Sequence, residues 1–102
     1  MMVTEKKNVN WFRKEVEPLL INSVAQYRHF LNGDFGALDR VEINSDKIAI
    51  EVDFWELDWL GIYIWDCNLQ VEVLNVLSSP SEEADKQENI SKLIQTIIDR
   101  KL

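Results

Sequence analysis

Few side chains in this sequence are of a type and spacing that could do chemistry. His29 is the only histidine, in Tyr27-Arg28-His29-Phe30. At the end of a helix, where the pattern places it, a favourable contact with the helix dipole is reason enough for it. Cys67 stands beside Asp66 with no Lys or Arg near it in sequence to lower its pKa, so no nucleophilic role is expected. Asp53, Glu56 and Asp58 are close enough to suggest a hard-cation site or a carboxylate pair for acid–base work. No glycine-turned calcium loop accompanies them, and a solvated hairpin tip is the simpler account. Ser78, Ser79 and Ser81 lie where a helix needs caps and have no histidine partner. Nothing matches a phosphate loop, a zinc motif or a nucleophile elbow. The expectation is a protein that is not an enzyme, with no catalytic residues, no metal and no cofactor.

Composition narrows the class further. The 102 residues leave room for one domain, 1–102, and 46% hydrophobic with 28% charged residues is a globular balance rather than that of a disordered tail. Eleven basic against eighteen acidic residues give a net charge of −7, the wrong sign for nucleic acid or an anionic membrane. The longest apolar stretch in the middle, residues 59–65, is far short of the ~18–20 residues a membrane span requires. Residues 1–10 are polar, so no secretory signal is expected. One cysteine excludes an internal disulfide and a cysteine-based zinc site, and suits a reducing cytosol.

The charge is concentrated. Residues 1–47 hold seven acids and seven bases, whereas residues 48–85 hold nine acids and neither Lys nor Arg. The same acidic segment carries Phe54, Trp55, Trp59, Tyr63 and Trp65, half of the ten aromatics. Acids and large aromatics share a segment, and the elements that position them decide whether they share a surface.

Residues 4–32 carry Phe12, Val16, Leu19, Leu20, Val24, Tyr27 and Leu31 at steps of three and four, which predicts a helix kinked or divided at Pro18. Gly33 is placed to end it. From Leu38 the period becomes two, in four strands around Val41/Ile43, Ile48/Ile50/Val52/Phe54, Leu60/Ile62/Ile64 and Val71/Val73. Between them lie Asn44-Ser45-Asp46, Glu56-Leu57-Asp58 and Asp66-Cys67-Asn68, each a tight-turn signal. Ser79-Pro80-Ser81-Glu82 reads as a capping box with proline at the first helical position. The final helix has its apolar stripe at Ile90, Leu93, Ile94, Ile97 and Ile98, so its packed part is expected to begin near Asn89. The fold class expected is α+β: a four-stranded antiparallel meander with the kinked N-terminal helix and the C-terminal helix packed mainly on one face.

Tight turns imply hairpins with definite registers. Centring on the turns pairs Ile43 with Ile48 and Val41 with Ile50; Phe54 with Leu60, Val52 with Ile62 and Ile50 with Ile64; and Ile64 with Val71 and Ile62 with Val73. The opposite face then carries rows Arg40–Glu51–Tyr63–Glu72 and Glu42–Ala49–Trp65–Gln70. Beside them lie Leu38, Asp53, Gly61 and Leu74, with Trp55, Trp59 and Val76 at the hairpin end. Large aromatics bury ~150–250 Å² each when covered, so three tryptophans and a tyrosine left bare would make a large apolar patch for a monomer. Three readings follow. The C-terminal helix or the polar 82–89 segment covers the face, leaving Arg40–Glu51 as a cross-strand ion pair in a small adaptor or housekeeping module. Or the face is a homodimer seam, opposed by the like charges of Glu51, Asp53 and Glu72 across a two-fold. Or it recognises a basic protein, with Trp55, Trp59, Tyr63 and Trp65 as anchors and Glu51, Asp53, Glu56, Asp58 and Glu72 as steering charges.

The segments Ile50-Glu51-Val52-Asp53-Phe54-Trp55-Glu56 and Trp59-Leu60-Gly61-Ile62-Tyr63-Ile64-Trp65-Asp66, in a small acidic chain, resemble in style the bacterial toxin-immunity proteins of contact-dependent growth inhibition and other polymorphic toxins. That resemblance implies a cytoplasmic protein encoded beside its toxin, which blocks the toxin by covering its active site or an adjacent surface. For a nuclease toxin the substrate groove is basic, and an acidic cap is its complement.

Overall fold

The computed structural model describes residues 6–102. Five strands, β1 (Ala25–Phe30), β2 (Leu38–Asn44), β3 (Ile48–Trp55), β4 (Leu60–Asp66) and β5 (Val71–Ser78), form one antiparallel sheet in sequential order. A short helical segment precedes the sheet and one long helix, α2 (Glu83–Asp99), follows it. The fold is therefore α+β as expected, but with five strands rather than four.

The fifth strand comes from the segment read as helix. The N-terminal helix starts at Asn8, whose Oδ1 accepts the Trp11 amide at 2.9 Å. It runs as α1 (Val9–Trp11), widens to a π turn (Phe12–Val16) and tightens to a 3₁₀ turn (Glu17–Leu19) containing Pro18. Leu20 is already extended, because proline cannot donate to a continuing ladder. Residues 25–30 then pair with the free edge of β2, Ala25 opposite Ile43 and Tyr27 opposite Val41. Val24 and Leu31, counted in the helical stripe, are 77% and 78% exposed. The first two residues of the expected helix lie outside the described residues.

Only the central hairpin keeps the expected register in full: Phe54–Leu60, Val52–Ile62 and Ile50–Ile64 are all paired. In the first, Ile43 faces Ile50 and Val41 faces Val52. The Ser45 hydroxyl accepts the amides of Lys47 (3.2 Å) and Ile48 (3.1 Å), which lengthens the turn. A slip of two residues keeps every side chain on its face, so alternation alone could not detect it. The third register errs by an odd number. Asp66 Oδ1 accepts the amides of Asn68 (3.0 Å) and Leu69 (2.9 Å), Gln70 takes φ +54°, and an irregularity at Ile64/Trp65 shifts the pairing to Ile64–Leu74 and Ile62–Val76. Leu74 and Val76 turn inward, and Val71 and Val73 are exposed.

One face of the sheet carries the core. Val41, Ile43, Ile50, Val52, Phe54, Leu60, Ile62 and Ile64 pack with Trp11, Phe12 and Val16 from the N-terminal segment and Ile90, Leu93 and Ile97 from α2. Both helical elements thus lie on the same side. The start of α2 keeps one bond of the expected capping box but differs in where the helix and its packing begin. It begins at Glu83, after Glu82 has turned back to accept the Ser79 amide at 2.8 Å, and packing already begins at buried Lys86. Lys86 Nζ donates to the Asp58 carbonyl at 2.7 Å and lies 3.5 Å from the Asp58 carboxylate. At the other end, Arg100 Nη1 donates to Asp66 Oδ2 at 2.8 Å. Two polar clasps therefore tie α2 to the two turns that flank β4.

Candidate protein-binding face

The face turned away from the helices is read directly from the pairing. Across the middle run Arg28, Arg40, Asp53, Gly61 and Leu77; beside them Gln26, Glu42, Glu51, Tyr63 and Asn75; then Asn44, Ala49, Trp65 and Glu72. On the other side Phe30, Leu38 and Trp55 are aligned, with Leu38 buried. The face divides into a charged half on β1–β3 and an aromatic half on β3–β5.

In the charged half, Arg40 Nε and Nη2 donate to the two carboxylate oxygens of Asp53 at 2.8 and 3.2 Å, and Nη2 is also 3.1 Å from Glu51 Oε1. The expected Arg40–Glu51 contact exists, but Arg40's direct cross-strand partner is Asp53. Arg28 Nε lies 3.2 Å from Glu42. Two guanidinium groups thus face three carboxylates, leaving one negative charge uncompensated. Burial, reinforced by the Asp53 carboxylate, pushes the Glu51 carboxyl above its ordinary range, against the lowering effect of Arg40. The hydrogen bond to Asp53 raises the Arg40 pKa. Arg40 also sits 5.5 Å from the Phe30 ring centroid.

In the aromatic half, Trp55, Trp59, Tyr63 and Trp65 are all half-buried and covered by neither helix. Two are braced by the loop before β2: Phe35 stacks on Trp59 with centroids 4.0 Å apart and meets Trp55 edge-on at 5.3 Å. Trp55 also explains two glycines. A Cβ on Gly61 would lie 3.2 Å from its ring, and one on Gly33 would lie 3.1 Å from its indole nitrogen and 2.7 Å from the Gly36 carbonyl. Between the indole and the acids lies an open depression of about 290 Å³, lined by Glu51, Asp53, Trp55, Gly61, Tyr63, Asn75 and Leu77, among others.

Of the nine residues expected to form the surface, Glu51, Asp53, Trp55 and Tyr63 surround this depression. Trp65 and Glu72 form a cross-strand pair to one side, with Glu72 accepting from Asn75 Nδ2 at 2.8 Å. Trp59 belongs to the Phe35 cluster, and exposed Glu56 lies against Gly36 at the hairpin end. Asp58 is separate, at φ +70° and engaged with Lys86 of α2. The acids 53, 56 and 58 are therefore dispersed. Among the described residues no group of three or more His, Cys, Asp or Glu side chains is gathered to hold a metal. Residues Arg28, Phe30, Asn75 and Leu77 were missed. The first two lay in the presumed helix, and the last two occupy the face on which Leu74 and Val76 were expected; those two turn inward instead.

His29 sits on the edge strand β1 rather than at a helix end, with Nδ1 2.6 Å from Asp39 Oδ1. Cys67 is half-buried in the β4–β5 turn, where its amide donates to the Lys47 carbonyl at 2.9 Å. No helix among the described residues is long and apolar enough to cross a membrane. Comparison with protein-family models, curated proteins and solved structures finds no match to this chain.

Proposed function

We propose that the protein is an immunity protein, which binds a cognate toxin domain with a basic surface and neutralises it stoichiometrically in the cytoplasm. The observation that supports this most is the aromatic sheet face, which both helices leave uncovered while packing on the opposite side. Half-buried indoles in an acid-rich frame suit capture of a cationic protein: charges set the encounter and rings set the residence time. Glu51, Glu56 and Glu72 supply steering, which can carry association toward ~10⁸–10⁹ M⁻¹s⁻¹ at low salt. Asp53 holds Arg40 in place, and Asp58 serves α2 more than the surface. The reading requires no catalytic group and no cofactor.

The test is to ask whether a neighbouring gene encodes a large secreted protein, and whether the C-terminal domain of such a protein is captured, with surface-immobilised binding kinetics to follow. Glu72→Lys should mainly slow association. Trp65→Ala should mainly hasten dissociation, by ~1–3 kcal/mol or roughly 5- to 150-fold. If both variants capture the domain like the parent protein, docking on this face is wrong.

Self-association is the second reading, favoured by one feature. The β5 edge carries Val71, Val73 and Leu77 at 46%, 43% and 51% exposure, without the Lys or Pro that commonly protects such an edge. Light scattering that gives a dimer mass at micromolar concentration would favour it.

A further inference from the structure

The depression on the outer face has the construction of a socket for a single cationic side chain. One wall is the Trp55 indole, held in place because Gly61 leaves room beneath it and Phe35 meets it edge-on at 5.3 Å. The Tyr63 ring and Leu77 continue the apolar lining, and Asn75 contributes an amide. The third side is Glu51 and Asp53, two carboxylates that share one guanidinium: Arg40 is bidentate on Asp53 and has a single 3.1 Å contact with Glu51. Both acids stand on β3: Arg40 reaches them from β2 on one side, and the depression opens on the other side, over β4 and β5. One half of the acid pair's surroundings is therefore neutralised from within the chain, and the other half faces a π-rich hollow.

We propose that this hollow receives an arginine or lysine side chain from a basic protein partner, its aliphatic stem along Trp55 and Leu77 and its charged head between Tyr63 and Glu51. The volume of about 290 Å³ is of side-chain size, too small for a folded element. Charge complementarity selects the occupant. The chain carries −7 overall, residues 48–85 contain no base, and the local sum of Glu42, Glu51 and Asp53 against Arg28 and Arg40 leaves one negative charge. An aromatic face and a carboxylate presented together attract a cation by two additive effects, the ring quadrupole and the full charge. A neutral apolar side chain would meet only the first wall and would leave Glu51 without a counter-charge on that side. The inference rests on the proposed function only for which protein brings the side chain.

The full-length protein can be tested without any toxin. Nα-acetyl-arginine amide is titrated while the Trp55 indole N–H and Gly61 amide are followed by two-dimensional NMR, with Nα-acetyl-norleucine amide as the uncharged probe. The expected result is saturable shifts at both positions with the arginine probe, at least about fivefold weaker binding of the norleucine probe, and about threefold weaker arginine binding in Glu51→Gln, the range of a partly exposed ion pair. Gly61→Ala, whose new Cβ would stand 3.2 Å from the indole and press it by a few tenths of an ångström, should weaken arginine binding while Glu51 remains. Glu88→Gln, on exposed α2 surface, should leave them unchanged. Equal response to both probes, or arginine binding unaltered by both Glu51→Gln and Gly61→Ala, overturns the socket. A socket that fails this titration while the toxin domain is still captured leaves the proposed function standing. A socket that passes it when no toxin is captured would leave only that function wrong.

Discussion

Removing Arg40 tests whether the charged half of the outer face is held together as described. In Arg40→Ala, Asp53 loses two charge-assisted hydrogen bonds, at 2.8 and 3.2 Å, while its own side chain is only 12% exposed. A hydrogen bond to a charged group contributes ~1.5–3 kcal/mol, and breaking one partner of a fully buried pair costs ~3–5 kcal/mol. Arg40 is 29% exposed and Glu51 38%, so solvent screening brings the sum toward the lower end. We take a loss of ~2 kcal/mol. With a urea dependence of ~1–2 kcal/mol per molar for a small domain, the unfolding midpoint should fall by about 1–2 M. The assay is urea unfolding of the parent, Arg40→Ala, Asp53→Ala and the double variant, followed by far-ultraviolet circular dichroism because tryptophan emission reports the same face. The cycle should return a coupling of ~1–2 kcal/mol between the two residues. A coupling below ~0.3 kcal/mol would refute the reasoning, since two residues so far apart in sequence would then be neighbours without an energetic bond.

Three further outcomes are expected. The Glu51 carboxyl is raised by burial and by Asp53, so the folded state holds that proton more tightly than the unfolded chain does. Glu51 therefore costs stability as pH rises through the window above its ordinary range of ~4.5. Glu51→Gln should be at least as stable as the parent at pH 7, with the difference disappearing below pH ~4 in thermal scans. Tyr27, half-buried and donating to Glu17 Oε1 at 2.8 Å, is pushed up to about 12. Its contribution is present below the ordinary value of 10 and is lost as pH climbs through about 12. Ultraviolet titration should show a late-ionising phenol that vanishes in Tyr27→Phe. Lys86→Ala removes the donor to the Asp58 carbonyl and a buried stem at 4% exposure, and should cost ~1–3 kcal/mol by urea unfolding. An unchanged midpoint would show that α2 does not depend on this clasp.

Much of the fold was written in local patterns, and the misreadings have specific physical origins. Ile48 to Phe54 and Leu60 to Ile64 alternate cleanly over a tight turn, so their register and their core face were legible residue by residue. The β2–β3 register escaped because the Ser45 hydroxyl lengthens the turn by an even step, which leaves the hydrophobic pattern unchanged. The β4–β5 register escaped for the opposite reason. Val71, Val73, Leu74, Val76 and Leu77 offer apolar residues on both parities, and the Asp66 turn with the irregularity at Ile64/Trp65 chooses between them. Tyr27 and its neighbours satisfied both a helical and a strand pattern, and the decision was tertiary: β2 had an edge to pair, and Pro18 had already ended the helix. That one misreading hid Arg28 and Phe30 from the face. The Asp58 contact with a buried lysine 28 residues away in sequence was not legible, since no local window contains it.

Hydroxyl-radical footprinting of the free protein, and of the protein with a captured basic toxin domain of the proposed kind, tests the central claim most directly. Trp11 is an internal reference at 7% exposure within the core. The account predicts that Trp65 and Tyr63 are oxidised in the free protein several-fold faster than Trp11, and that both fall toward the Trp11 rate once the toxin is bound. Oxidation of Trp65 and Tyr63 as slow as that of Trp11 before any partner is added, or rates untouched by a bound toxin, would contradict it.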